Sequence, residues 1–375
     1  MKRSQTLKIL EDLQKKMVIL TGPRQVGKTW LSKEIMTHYK KAIYLNYDNR
    51  DDKEIIHSQS WLDENDLIIF DELHKMPQWK TYIKGVYDKK SDMQHILVTG
   101  SAKLDTFRKM GDALTGRFFK HRLHPFSIKE ISSTNSEIDF KTLFERGGFP
   151  EPLLAKNEID AKRWRQDYLD SLIREEILDF NNISQLSTMN TLIRVLQERV
   201  ASPLSYASLA RDLNSSIPTI KKYIHILEAL FIIFKISPFS RNIARSILKE
   251  PKIYFYDWSL VNGDDGLKYE NMLAVHLLKH CHAERDQLGK LSELYYLRTK
   301  EQKEVDFCLV ENQTIHTLIE AKYSSTSLSP NLAYFSEKYK IPGIQLVYNM
   351  KNKVERTVNQ HKILSAKNYL NTLII

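Results

Sequence analysis

The segment Gly22-Pro23-Arg24-Gln25-Val26-Gly27-Lys28-Thr29 constrains this chain more than any other. It fits GxxxxGK[ST] and lies between an apolar strand-like run, MVIL, and an amphipathic run, TWLSKEIMTHYK. Two glycines allow a tight turn from strand to helix, so that loop N–H groups and the helix N-terminus face one point and cradle phosphates. In this reading Lys28 reaches the β- and γ-oxygens of a nucleoside triphosphate and Thr29 ligates Mg²⁺. ATP and Mg²⁺ are the expected ligands; a Gly-rich turn without a ligand is the alternative.

Such a loop belongs to a layered sheet, and the first third of the chain supplies one. AIYLNYD, LIIFDE and HILVTGSA are further β-rich runs separated by helical or polar segments. The alternation predicts an α/β fold with a mainly parallel sheet, its ligand site at the carboxyl ends of the strands. RFFKHRLHP is a candidate fifth strand, stopped by Pro125. Leu67 to Phe70 lead into Asp71 and Glu72, and an apolar strand ending in two acids delivers carboxylates to the phosphate site. Asp71 is expected in the Mg²⁺ shell and Glu72 beside the attacking water. The run ending in Thr99, Gly100 and Ser101 brings hydroxyls to the same edge; Ser101 or Thr99 would touch the γ-phosphate or the water, and Ser101 equally suits a helix N-cap.

From about residue 126 to 248 the pattern is helical, broken at RGGFPEP (146 to 152). Within it, Ser205 to Leu213 and a segment from Pro218 read as two helices around the turn Asn214-Ser215-Ser216. Ile217, Ile220, Ile224, Leu227 and Leu230 recur at spacings of three and four and predict a buried face, with Thr219, Lys221, Lys222 and His225 outside. This is a helix-turn-helix pattern, and ALFIIFKISPF is a candidate wing, with Arg241 and Arg245 nearby. From Pro251 onward strand-like runs return (KIYFYD, ELYYLRT, VDFCLV, TIHTLIEAK, GIQLVYN), with a helix from near Leu267.

The net charge of +10 over 375 residues favours polyanionic partners without identifying one. Hydrophobic residues at 42% and charged residues at 27% exclude a disordered chain. No apolar run reaches the roughly 20 residues of a membrane helix, and MKRSQTLKILEDLQKK lacks a signal-peptide core. No membrane role and a cytoplasmic location are expected, and Cys281 and Cys308 alone form neither a disulfide framework nor a zinc pattern.

GPRQVGKT, IIFDELHKMPQWKTYIKGVYD, ILVTGSA, LTGRFFKHRLHPFSIKE and GGFPE together resemble the P-loop ATPases of AAA+ type, specifically those carrying a C-terminal DUF4143 domain. The resemblance covers nearly the whole chain. It implies an ATPase domain at 1–130, a helical winged-helix domain at 131–250 and a PD-(D/E)xK nuclease-like α/β domain at 251–375. It also places Arg117 where AAA+ proteins often carry an arginine finger, which requires a homo-oligomer; a structural arginine is the alternative. In the last domain Asp306 and Glu320 would hold Mg²⁺ while Lys322 positions or activates water, with Glu270 as fourth member; a surface salt bridge or a non-cleaving binding module is the alternative. Alternation along one strand puts Glu320 and Lys322 on one face. The reading is Mg²⁺-dependent ATP hydrolysis, with possible coupling to DNA. The alternatives are an ATP-regulated DNA endonuclease and a slow nucleotide switch that binds a protein partner.

Overall fold

All five apolar runs of the first third become strands: β1 Met17–Thr21, β2 Ala42–Asn46, β3 Leu67–Asp71, β4 His95–Thr99 and β5 Phe118–Arg122. The computed structural model of the protein describes residues 1–100, 114–133, 138–177, 183–240, 250–350 and 354–375. Ser101, Arg241 and Arg245 lie outside the described residues. The five strands pair in parallel in the order β2-β3-β4-β1-β5. Every residue of β1 and β3 is buried, as a central strand covered on both faces requires.

Four helices belong to this sheet: α1 Thr6–Leu13, α2 Lys28–Met36, α3 Arg50–Ser58 and α4 Trp79–Lys89. On one face Ile19, Ile68, Phe70, Ile96 and Val98 form a core with Ile56 of α3 and Trp79, Ile83 and Val86 of α4. Full burial of such side chains stabilises by about 1.5–3 kcal/mol each. The Asn49 side chain accepts from the N–H groups of Asp51 and Asp52, which fixes where α3 begins. In-register parallel pairing sets Asp71 opposite both Asn46 and Thr99. The carboxyl edge of the sheet therefore carries the residues expected to meet phosphate.

Two compact units divide the described chain: Met1–His124 with Ala229–Phe231, and Pro125–Glu228 with Ile232–Ile375. The second opens with helices α5 Ile128–Ser132, α6 Phe140–Arg146, α7 Pro150–Leu153, α8 Glu158–Ile177, α9 Ile183–Glu198, α10 Tyr206–Asp212 and α11 Ile217–Ala229. Gly147 and Gly148 follow α6, and a Cβ on Gly147 would lie 2.2 Å from a carboxylate oxygen of Asp257, so RGGFPEP is a close backbone approach as well as a loop. Along α11, Ile220, Ile224 and Leu227 are buried as the spacing predicts. Ile217 is 42% exposed because it opens the helix, and Tyr223 fills the buried face instead.

Strand β6 Ile233–Ile236 pairs antiparallel with β7 Lys252–Phe255, so residue 250 falls in the connection between two paired strands. After α12 Asp265–Leu288 come β8 Ser292–Arg298, β9 Glu304–Glu311, β10 Thr314–Lys322, α13 Pro330–Tyr339, β11 Gly343–Val347, β12 Arg356–Val358, β13 His361–Ser365 and α14 Ala366–Thr372. Their sheet has the order β12-β13-β11-β10-β9-β8. Strands β8, β9 and β10 form an antiparallel meander, and the crossover through α13 makes β11 parallel to β10. Among the described residues no helix is long and apolar enough to cross a membrane.

Candidate functional site

The phosphate-loop segment is shaped by its glycines. Gly22 has φ +151°, and a Cβ there would fall 2.3 Å from the carbonyl oxygen of Leu123, so only glycine fits. Gly27, at φ 99°, turns the chain into α2, which begins with Lys28 and Thr29. Lys28 is buried, and its ammonium donates to the carbonyl oxygens of Gly22 (3.0 Å) and Pro23 (2.7 Å). Burial lowers its pKa to about 8, against the opposing pull of Glu72 and Asp71.

Asp71, 3% exposed, is the hub of the strand edge. The Thr29 hydroxyl donates to its Oδ2 at 3.0 Å, and the hydroxyls of Tyr44 and Thr99 donate to Oδ2 and Oδ1. Its Oδ1 also accepts the Glu72 N–H at 3.0 Å. An acidic oxygen beside a threonine hydroxyl at a helix N-terminus is a hard-oxygen donor set, and it fits Mg²⁺, which takes one or two protein oxygens and fills its shell with phosphate and water. Glu72 sits in the left-handed region at φ 54°, a conformation that costs a non-glycine residue about 1 kcal/mol and clusters at functional sites. Burial first, and the charge of Asp71 next, raise its pKa.

Arg117 lies apart from these groups. Its Nε donates to Asp88 Oδ1 at 2.8 Å and a terminal nitrogen to Oδ2 at 3.3 Å, a two-point pair that lowers the pKa of Asp88.

The four C-terminal candidates do converge. Asp306 on β9 accepts the Ala321 N–H at 2.9 Å, which ties it to β10, where Glu320 and Lys322 bond each other at 2.8 Å. Glu320 Oε1 also accepts from Ser329 at 3.0 Å, and Glu270 on α12 accepts from Tyr254 at 2.8 Å. Burial and then the neighbouring Asp306 raise the pKa of both Glu270 and Glu320. Burial works to lower the Lys322 pKa, but Glu320, Asp306 and Glu270 outweigh it and the pKa rises.

Into this cluster the structure brings Lys252, which the spacing analysis missed. Its ammonium lies 2.6 Å from Glu304, 3.2 Å from Glu270 and 3.9 Å from Asp306. The carboxylates here thus hold an internal cation, the Lys252 ammonium. Among the described residues no group of three or more His, Cys, Asp or Glu is placed to hold a metal ion. The signal was present in KIYFYD: a lysine opening an otherwise apolar strand must meet negative charge if it is buried. Tyr44 was also missed, since nothing local in AIYLNYD marks a tyrosine that reaches a neighbouring strand.

A parallel sheet in this order, with Lys28, Thr29 and Asp71 at its carboxyl edge, is an α/β fold resembling that of P-loop ATPases. Residues 14–132 match the family described as AAA domain, 137–270 the domain of unknown function DUF8612, and 265–369 the domain of unknown function DUF4143. The chain is an AAA-type P-loop protein with a C-terminal DUF4143 domain. It is 25% identical over 299 residues to the uncharacterized protein Rv2008c of Mycobacterium tuberculosis, covering 77% of this chain and 66% of that protein. It is 24% identical over 334 residues to the uncharacterized protein MJ1544 of Methanocaldococcus jannaschii, covering 78% and 72%. The chain thus spans just under two thirds of the mycobacterial relative's length. Among solved structures, the Walker-type ATPase paby2304 of Pyrococcus abyssi aligns with a TM-score of 0.44 and 18% identity, over 69% of this chain and 93% of that one.

Proposed function

We propose that this protein binds ATP with Mg²⁺ at the loop Gly22 to Thr29 and hydrolyses it. The observation that carries the reading is the Thr29 hydroxyl bonded to the buried Asp71 carboxylate at 3.0 Å, beside the loop that holds Lys28. Thr29 and Asp71 would hold Mg²⁺, which when bound draws negative charge off the phosphate oxygens. Loop N–H groups bind the phosphates, and Lys28 neutralises the β/γ oxygens. Glu72 orients water and takes its proton as the water oxygen bonds to the γ-phosphorus and the bond to the β-bridging oxygen breaks, giving ADP and phosphate. Ser101 and Thr99 are candidate partners of the γ-phosphate. As a finger in trans, Arg117 would exchange Asp88 for a neighbouring subunit's nucleotide. The three-part division at residues 130 and 250 stands as a proposal beside the two compact units.

A test is phosphate release by Lys28→Ala. Loss of turnover supports the reading, and turnover equal to the wild type overturns it. Nucleotide that binds tightly but turns over slowly until a partner protein is added would favour the switch reading.

Coupling to DNA is supported by the outer face of α11, where Lys221, Lys222 and His225 are exposed on a helix preceded by α10 and followed by the β6–β7 ribbon, the order of a winged helix. DNA affinity should weaken with rising salt and fall at least several-fold in Lys221→Glu/Lys222→Glu. An unchanged affinity in a filter-binding titration would remove α11 from the interface. The endonuclease alternative depends on a metal at Asp306 and Glu320, and Lys252 stands against it.

A further inference from the structure

Strand β7 opens with a lysine that is 1% exposed. An ammonium survives such burial only where fixed negative charge replaces its water. Around Lys252 that charge is Glu304, Glu270 and Asp306, with the Tyr296 ring centre 5.4 Å away as a further cation-binding surface. We infer that the ammonium of Lys252 is the resident cation of the C-terminal acidic cluster, standing where a metal-dependent nuclease would hold a divalent ion, and that the site therefore excludes Mg²⁺ and Mn²⁺ at neutral pH.

Three observations converge on this. First, one oxygen of each of three carboxylates is engaged: Glu270 Oε1 accepts from both Lys252 and Tyr254, Asp306 Oδ2 accepts the Ala321 N–H, and Glu320 Oε1 accepts from Lys322 and Ser329. Among the described residues Glu320 Oε2 is a buried oxygen of the cluster without a hydrogen-bond partner, and the Lys322 ammonium on the same carboxylate opposes a second cation there.

Second, the charge is nearly balanced. The carboxylates of Glu270, Glu304, Asp306 and Glu320 face the cations of Lys252, Lys322 and Arg298, the last bonded to Glu304 at 3.2 Å. A dication added to that set would leave net positive charge in a low-dielectric interior.

Third, Lys252 is buried and tethered to a strand paired along its length with β6, so its ammonium competes at a high effective concentration. Burial works against the charge of Lys252, and Glu270, Asp306 and Glu304 overcome it, raising its pKa so that it stays protonated across the neutral range.

The test is a Mn²⁺ titration of the full chain carrying Asp71→Asn, read by the electron paramagnetic resonance of free Mn²⁺ without nucleotide. That background removes the carboxylate of the two proposed metal ligands of the nucleotide site, and reading Mn²⁺ without nucleotide keeps the result independent of whether the ATP reading holds. The expected result is no bound Mn²⁺ at millimolar concentration, and a gain of one equivalent in Lys252→Met that Asp306→Asn abolishes. One tightly held Mn²⁺ with Lys252 in place, lost on Asp306→Asn, would overturn the inference. So would a folded Lys252→Met protein that still takes no Mn²⁺. If Lys252→Met does not fold, the titration with Lys252 in place decides alone, in the same two directions.

Discussion

Glu72 combines a left-handed backbone with a partly buried carboxylate next to Asp71, and both features have a cost the fold must carry. The raised pKa gives the site a pH signature. The task assigned to Glu72 needs the carboxylate, so turnover should fall as pH drops, with its midpoint above the 4.5 of an ordinary glutamate. Glu72→Gln should keep ATP binding, lower kcat roughly 100-fold or more and lose that acid limb. Steady-state kcat against pH for both proteins checks this, and an unchanged acid limb in the variant would transfer the proton step elsewhere. At this scale the sequence was informative, because phosphate loop, strand and acid pair are each local patterns. Tyr44 and Lys252 were not legible, since each acts on a carboxylate that only strand and helix packing brings near.

Elements show the same division through their glycines. Gly22 and Gly85 look alike in sequence, yet a Cβ on Gly22 would strike the Leu123 carbonyl at 2.3 Å, while one on Gly85 meets nothing within 4 Å. Gly85 lies inside α4, where alanine is the better helix former. Gly85→Ala should therefore stabilise by roughly 0.5–1 kcal/mol, whereas Gly22→Ala should cost on the order of 2 kcal/mol or more and abolish nucleotide binding. Urea unfolding monitored by circular dichroism reads both signs, and a destabilised Gly85→Ala would contradict the open space beside α4. Helix α11 makes a related point: its period located the buried face, but Ile217, the first residue of the helix, is exposed.

Across the C-terminal unit, acid should be destabilising through His276. Its Nδ1 lies 2.8 Å from the Met272 carbonyl, a donor geometry, while Nε2 accepts the Ile128 N–H at 3.2 Å. That fixes the neutral tautomer, since a proton on Nε2 would face another donor. Burial lowers its pKa from 6.5 to about 4, so the unfolded chain binds the proton first as pH falls. Stability is unaffected by this group above pH 6.5 and is lost progressively down to about 4, by about 3 kcal/mol in all. Urea midpoints measured from pH 7.5 to 4.5 should fall, and His276→Gln should flatten the slope. A slope that survives the substitution would assign the acid sensitivity to other groups.

The sequence by itself determined the α/β class, the five strand runs, the loop from Gly22 to Thr29 and the acids Asp71 and Glu72. Each is written in a contiguous pattern whose period or spacing is set by backbone geometry. Only the tertiary structure decided what stands beside those residues. Parallel register set Thr99 opposite Asp71, the packing of α2 and β2 brought the hydroxyls of Thr29 and Tyr44 onto the same carboxylate, and the fold set Lys252 of β7 beside Glu270 and Glu304. Contacts of that kind join residues far apart in the chain, and a buried charge is settled by its neighbours in space rather than in sequence.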